Sequence, residues 1–367
     1  MTRLTTTPEN ERARGAAGAL PAGGGSAAAW RGWRRRRRHD ALFVLGRALL
    51  ALWGRLPGRW AVQAGKGVGR LACWLAVAER RRALRQLAAV GLGASARERR
   101  ALVSEMFERL GEALAQCLIF VRSAGEARAS LSFVLTPRAQ AALAEARAAG
   151  RGVVLVGGHL GNWELVGAAL ARALPLQVLA RSSYDPRWTR LIARWREAAG
   201  VGSLWVDRPG ALRRALALLR AGGAVGLLID QPLRRGGCLV PFFGRPAPTS
   251  TLAVALARAT GAALLLACPL ARRAAEGGRG GGATFGAVTE VEVTPIATSD
   301  WTEGGRDALP RAMARLTALL EQQVRADPAS WLWSLDRWRL DDRSTSGLEP
   351  VRCTKPLTSK ANCVPRR

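Results

Sequence analysis

Arg151-Gly-Val-Val-Leu-Val-Gly-Gly-His-Leu-Gly-Asn-Trp-Glu-Leu-Val166 holds a buried strand, a glycine turn and the opening of a helix in one continuous stretch. Val153 to Val156 is a short apolar run of β-branched and aliphatic residues closed by Gly157-Gly158, the pattern of a strand covered on both faces. Asn162 to Ala173 follows with helical spacing. In an open α/β sheet, ligands bind in the crevice beyond the carboxyl ends of the strands, and His159 falls just past such an end.

Outward from this unit the same alternation repeats. Gln177 to Ala180 reads as strand and Pro186 to Ala199 as helix, then Ala211 to Arg220 as helix, Ala224 to Ile229 as strand, Ser250 to Thr260 as helix and Ala262 to Cys268 as strand. Strands separated by helices require crossover connections, so the expected fold is α/β, a mostly parallel central sheet flanked by helices. After the glycine-rich Gly277 to Gly282, the period-2 stretch Val288 to Thr294 suggests a hairpin near the sheet edge. Helical spacing marks residues 97 to 122 and 306 to 326.

The N-terminal part departs from this rhythm. Residues 1 to 39 form an Arg-rich leader without apolar periodicity, expected to be flexible, and residues 344 to 367 a disordered tail, leaving 40 to 343 as one membrane-associated domain. Between leader and domain, Ala41 to Leu56 is apolar apart from Gly46, Arg47, Gly54 and Arg55, and five arginines, Arg34 to Arg38, precede it. That is short of the ~20 uninterrupted apolar residues a spanning helix needs. A helical segment lying in the headgroup region suits Arg47 better, and a buried core helix or a cleaved signal segment are the plainer alternatives.

The chain carries 56 basic residues against 27 acidic ones, a formal net charge of +29, and its 49% hydrophobic content is ample for a core. Such a charge favours anionic partners: phospholipid, a lipopolysaccharide precursor, an acidic carrier protein or nucleic acid. Nucleic acid is disfavoured because no helix-turn-helix, zinc-finger or ribonucleoprotein motif accompanies the charge. Six cysteines, Cys73, Cys117, Cys238, Cys268, Cys353 and Cys363, show neither C-x-x-C pairs nor a disulfide framework. With only His39 and His159 as histidines, no metal site and no cofactor is expected.

Histidine chemistry therefore has one candidate. Glu164 lies on the first turn of the helix after His159, so a turn that folds back can bring carboxylate to imidazole. A carboxylate on one ring nitrogen fixes the tautomer and leaves the other to take a proton from an alcohol. No G-x-S-x-G elbow offers a covalent nucleophile, which favours direct attack by an acceptor hydroxyl on a thioester. The plainer reading, a histidine and a glutamate that merely cap a helix start, remains open at this point.

Further blocks bear on that choice. His159-Leu-Gly-Asn-Trp-Glu164 resembles the H-x4-(D/E) box of the lysophospholipid acyltransferase superfamily, in the Asn-Trp form of the late (lauroyl/myristoyl) acyltransferases of lipid A biosynthesis. Leu179-Ala180-Arg181, Leu228-Ile229-Asp230-Gln231 and Val240-Pro-Phe-Phe-Gly-Arg-Pro-Ala-Pro-Thr249 are similar to its later blocks, in the same order. Trp331-Leu-Trp-Ser-Leu-Asp-Arg-Trp338 resembles its closing segment, with Asp336 where the family usually carries histidine or another residue before its arginines.

The resemblance implies an O-acyltransferase on the cytoplasmic face of the inner membrane, moving a fatty acyl chain from acyl carrier protein, or acyl-CoA, to a hydroxyl of an anionic lipid A precursor. It makes His159 the base with Glu164 its partner, and Asn162, Arg181, Asp230, Gln231, Phe242, Phe243 and Gly244 substrate-binding residues. Arg181 would hold a phosphate or polarise the thioester, and Phe242 and Phe243 would wall an acyl groove. Trp331, Trp333 and Trp338 form either a membrane-facing belt or plain packing. A phosphatidylinositol mannoside acyltransferase, or a glycerolipid or aminolipid one, is the alternative enzyme, and a basic nucleic-acid binding protein the alternative from outside enzymes.

Overall fold

The computed structural model describes residues 37, 40, 43–44, 46–122, 133–233, 237–270, 288–297 and 308–339. Nearly all of the expected leader, and the expected tail, lie outside these described residues. The chain divides into two compact units, Met1–Leu56 and Pro57–Arg367. In the first, residues 46–53 are helical and Val44, Leu49 and Leu52 are exposed. Among the described residues no helix is long and apolar enough to cross a membrane.

The second unit opens with three helices, α1 (Gly58–Leu75), α2 (Val77–Ala89) and α3 (Ala96–Arg122). It continues as β1 (Phe133–Leu135), α4 (Pro137–Ala148), β2 (Val153–Gly157), α5 (Trp163–Ala171), β3 (Leu176–Ala180), α6 (Pro186–Ala198) and β4 (Gly202–Trp205). Then come α7 (Ala211–Arg220), β5 (Ala224–Leu228), β6 (Cys238–Phe242), β7 (Arg245–Thr249), α8 (Leu252–Thr260), β8 (Ala263–Pro269), β9 (Thr289–Pro295) and α9 (Ala308–Ala326), with a 3-10 turn at Pro328–Ser330.

Seven strands make one sheet in the order β1-β9-β8-β2-β5-β3-β4. Strands β8, β2, β5, β3 and β4 run parallel, and the pair β9 and β1 runs the other way, β9 being antiparallel to β8. The mostly parallel α/β sheet expected from the alternation is therefore present, with β1 rather than the 288–294 strand at its edge. Every residue of β2 is buried, as its unbroken apolar run requires between two helical layers.

Two features of this unit place the site. Chain order reverses about β2: β3, next in sequence, lies on the β5 side, whereas β9 lies on the β8 side, so a crevice opens at the carboxyl end of β2. Against that end packs α3, itself covered by α1 through glycine. A methyl group on Gly111 would fall 2.1 Å from the Gly65 carbonyl oxygen, and one on Gly69 would fall 2.2 Å from that of Phe107. The two backbones approach so closely that only hydrogen fits, and Gly65 and Gly69 lie on the contact face of α1. The other face leaves Trp60, Val68, Leu71, Trp74 and Leu75 exposed.

The separate hairpin β6–β7 turns through Phe243 and Gly244, both at positive φ, 52° and 70°. A two-residue loop with both residues left-handed matches the twist of the strands, and glycine carries the second position without steric cost. Gly244 is thus a turn residue. Phe242 is fully buried and Phe243 nearly so, in an aromatic cluster with Trp331, Trp333 and Trp338. Burial of Trp331 and Trp333 also rules out their forming a membrane-facing belt.

Candidate active site

Strands β2 and β5 are paired so that Gly157 faces Leu228. Two residues further along each chain, His159 and Asp230 therefore arrive side by side at the carboxyl edge of the sheet. The ring nitrogen Nδ1 of His159 lies 2.8 Å from Asp230 Oδ1, and the His159 backbone N–H donates to Asp230 Oδ2 at 2.6 Å. Trp331 completes the set, its indole Nε1 donating to Oδ2 at 2.8 Å. Glycine at 158 is what lets the carboxylate in, because a side chain there would begin 3.1 Å from Asp230 Oδ2 and 2.8 Å from Leu320 Cδ1.

Asp230 is completely buried. Burial pushes its carboxyl up, but the neighbouring His159 charge and the hydrogen bonds from His159 and Trp331 outweigh this and hold it below the usual carboxylate range. An ionised carboxylate can only accept, so Nδ1 carries a proton, and in the neutral ring Nε2 presents its lone pair. Gln231 Nε2 lies 3.2 Å from that nitrogen, the arrangement of an amide donating to it.

The carboxylate on the imidazole is thus Asp230, and the expectation that Glu164 fills that role is corrected. Glu164 instead forms a two-point ion pair with Arg196 of α6, at 2.7 and 2.9 Å. Asn162 caps α5 through its side-chain oxygen, which accepts from Leu165 N, and its amide donates to Ala113 O and Gln116 Oε1 of α3. Trp163 then meets the His159 ring edge-on, centroids 4.9 Å apart, and Glu164 is left on the α6 side of the turn.

The other expected site residues divide. Asn162 anchors the His159 turn to α3, and Gln231 meets the histidine directly. Arg181 is exposed in the loop after β3, the strand next to β5, and among the described residues closes no salt bridge. Phe242 and Phe243 are packed in the aromatic cluster, where Phe242 backs Trp331 at 5.5 Å and so supports the indole that holds Asp230.

An apolar cavity of about 400 Å³ opens on the far side of the turn, reached from His159 through Trp163. Its walls include Val68 of α1, Leu114 and Phe120 of α3, and Ile192 and Trp195 of α6, with Trp163, Glu164 and Arg196 also lining it. Trp163 therefore touches both the imidazole and the cavity. Trp331 and Arg196 were missed as site residues in the sequence. The tryptophan was visible as part of a closing block, but its bond to a carboxylate 101 residues away was not.

The Glu164–Arg196 pair makes a separable prediction, since its side chains are only 34% and 13% exposed. Glu164→Ala strands a largely buried guanidinium, with an expected cost of about 2–3 kcal/mol, while Glu164→Leu with Arg196→Leu should recover most of it. Urea unfolding measures both. A Glu164→Ala protein of native stability that had lost as much turnover as a His159 variant would instead make Glu164 part of the chemistry.

A model of the bacterial lipid A biosynthesis acyltransferase family matches residues 31–340. The chain belongs to that family. It is also 32% identical, over 202 residues, to the phosphatidylinositol mannoside acyltransferase of Mycobacterium tuberculosis strain CDC 1551 / Oshkosh, and equally so to that of strain ATCC 25618 / H37Rv. Each alignment takes in 53% of this chain and 57% of the relative, so the chain spans little more than half the length of the curated relatives it matches.

Proposed function

We propose that the chain is an O-acyltransferase that moves a fatty acyl group from the thioester of acyl carrier protein, or of coenzyme A, to a hydroxyl of a lipid A precursor. The observation that carries this is the buried Trp331–Asp230–His159 chain, whose imidazole meets Trp163, a wall of the apolar cavity. The acceptor hydroxyl attacks the thioester carbon while Nε2 takes its proton. The carbon–sulfur bond then breaks, and the departing sulfur leaves as a thiol with the proton from the imidazolium. Asp230 stabilises that imidazolium between the two steps. Arg196 Nη1, buried in the cavity wall without a hydrogen-bond partner, is a donor suited to a carbonyl oxygen.

A membrane-surface position, at the cytoplasmic face of the inner membrane, belongs to the same reading. The exposed stripe Trp60, Val68, Leu71, Trp74 and Leu75 of α1 supports it, because Val68 is shared between that stripe and the cavity. Apolar chains could pass from lipid to cavity along one helix. Trp60→Ser with Trp74→Ser should lower the bound fraction on anionic phosphatidylglycerol vesicles at least fivefold, and unchanged co-sedimentation would remove α1 from the reading.

A second acceptor is favoured by the mycobacterial relatives, whose names specify a phosphatidylinositol mannoside. Purified protein given radiolabelled palmitoyl carrier protein or palmitoyl-CoA, with a lipid A precursor or a phosphatidylinositol mannoside, separates the cases by the labelled product. Transfer to neither lipid from either donor would overturn the acyltransferase reading for these substrates.

A further inference from the structure

The closing segment buries a charge that the chemistry above leaves unused. Arg337 is 1% exposed, yet among the described residues it closes no salt bridge. Its Nη1 donates to Pro248 O at 2.5 Å and its Nη2 to Thr249 Oγ1 at 2.6 Å, both neutral acceptors on β7. The guanidinium lies over Phe242, 5.4 Å from the ring centroid, and the Arg337 backbone N–H donates to Gln86 Oε1 of α2. A buried cation held by neutral groups alone is costly, and a lysine placed there would shed its proton near neutral pH. Burial pushes the Arg337 guanidinium down to about 10, which still leaves it charged.

The anion that answers it is Asp230. Of the titratable groups acting on Arg337 across space, Cys238 of β6 is a thiol that burial pushes up to about 11, so it stays neutral, and the other is the Asp230 carboxylate. The space between them is packed, since Phe242 lies against Trp331, whose indole donates to Asp230. Other charged neighbours are engaged elsewhere. Asp336 pairs with Arg82 of α2 at 3.9 Å, Glu321 of α9 accepts from the Phe243 backbone and from Arg325, and Arg245 of β7 lies over Trp338. On the far side of Asp230, burial and the carboxylate itself push Cys268 of β8 up to about 12, so that thiol is neutral too.

We propose that Arg337 is a positioning residue for acyl transfer, a permanent buried cation that counterbalances the Asp230–His159 pair and keeps His159 Nε2 free of its proton between turnovers. The inference rests on the acyl-transfer reading and adds a residue to it. When Nε2 takes the acceptor proton, the pair gains a positive charge. A fixed cation nearby disfavours that state, so the imidazolium passes its proton to the departing sulfur instead of holding it. Without the cation, Asp230 and His159 together take up a further proton more easily, and activity on the acid side falls away at higher pH.

Arg337→Gln removes the charge and keeps an amide donor for β7, whereas Arg337→Met removes both. The chain has two histidines, so in full-length protein carrying isotope-labelled histidine the His159 ring is followed by NMR, with His39→Asn assigning the signals. In both variants the His159 signals should titrate roughly half to one pH unit above wild type, the scale of a unit charge acting over ~10 Å at an effective dielectric of ~20. The acid limb of kcat/KM against pH should move up with them, and Arg337→Lys, charged at acid pH, should restore the wild-type midpoint. Folded neutral variants whose ring titrates where the wild type does, with turnover lowered equally at every pH, would overturn the proposal and leave Arg337 a tie between the closing segment and β7. Neutral variants that both fail to fold would assign the charge to stability and overturn it as well. A shifted ring titration in a protein that transfers no acyl group from either donor would support the electrostatic pairing while removing the acyl-transfer reading.

Discussion

His159→Ala is expected to slow acyl transfer about 100- to 10,000-fold, the usual contribution of a positioned general base, while the thermal midpoint moves little. Stability should survive because Asp230 keeps two of its three donors, the backbone N–H of residue 159 and the Trp331 indole. The carboxyl, no longer facing an imidazole, can take up a proton instead of remaining a buried bare charge. The loss should appear in kcat, since in the proposed mechanism the imidazole acts on the attacking hydroxyl and the cavity walls hold the acyl chain. No other histidine lies among the described residues to replace it. Transfer by His159→Ala within threefold of wild type, measured with labelled donor at saturating acceptor, would remove His159 from the mechanism.

What the sequence displayed of this arrangement followed from burial. Strands β2, β5 and β8 are covered on both faces, so each is a continuous apolar run, and the alternation with helices then fixed the parallel sheet. Strands that meet fewer neighbours left weaker traces. Gly202–Trp205 is a four-residue edge strand, and the hairpin β6–β7 contains Pro241, Pro246 and Pro248, which argue against a sheet interior. As a two-stranded ribbon it has two open edges where a proline lacks no ladder bond. Helix α1 was hidden by Gly58, Gly65, Gly67 and Gly69, poor helix formers whose presence only the close approach of α3 explains for Gly65 and Gly69. A signal was available for α4: Thr136 before Pro137 is a helix start, and Thr136 Oγ1 accepts from Ala139 N.

The same contrast decided the site. His159 was legible because it ends a strand in a chain with a single other histidine. Its partner was not, because nearness along the chain pointed to Glu164, five residues on, whereas strand register brings in Asp230 from 71 residues away. Glu164 is drawn off by Arg196, a residue whose position on α6 becomes meaningful only once the helix is packed over the cavity.

Asp230→Asn separates this geometry from one in which Glu164 serves the histidine. The amide oxygen of asparagine can still accept from Trp331 and from the backbone of residue 159, so its NH2 is turned toward Nδ1. That nitrogen must then accept, the ring proton moves to Nε2, and the base faces the hydroxyl in the wrong tautomer. The expected loss in kcat is about 10,000-fold, the scale found when a triad carboxylate is made an amide. Combining it with His159→Ala should cost no more than the larger single loss, because the two groups act as one unit. Stability provides an independent check on the same carboxylate. Its folded-state pKa is depressed, so its contribution is fully present above the ordinary carboxylate range and disappears as pH falls through the lower, folded-state value. Asp230→Asn lacks that acid-sensitive component, so the gap in unfolding free energy between wild type and variant should narrow with acidification. A gap that stayed constant down to acid unfolding, with turnover near normal in the amide, would return the carboxylate role to Glu164.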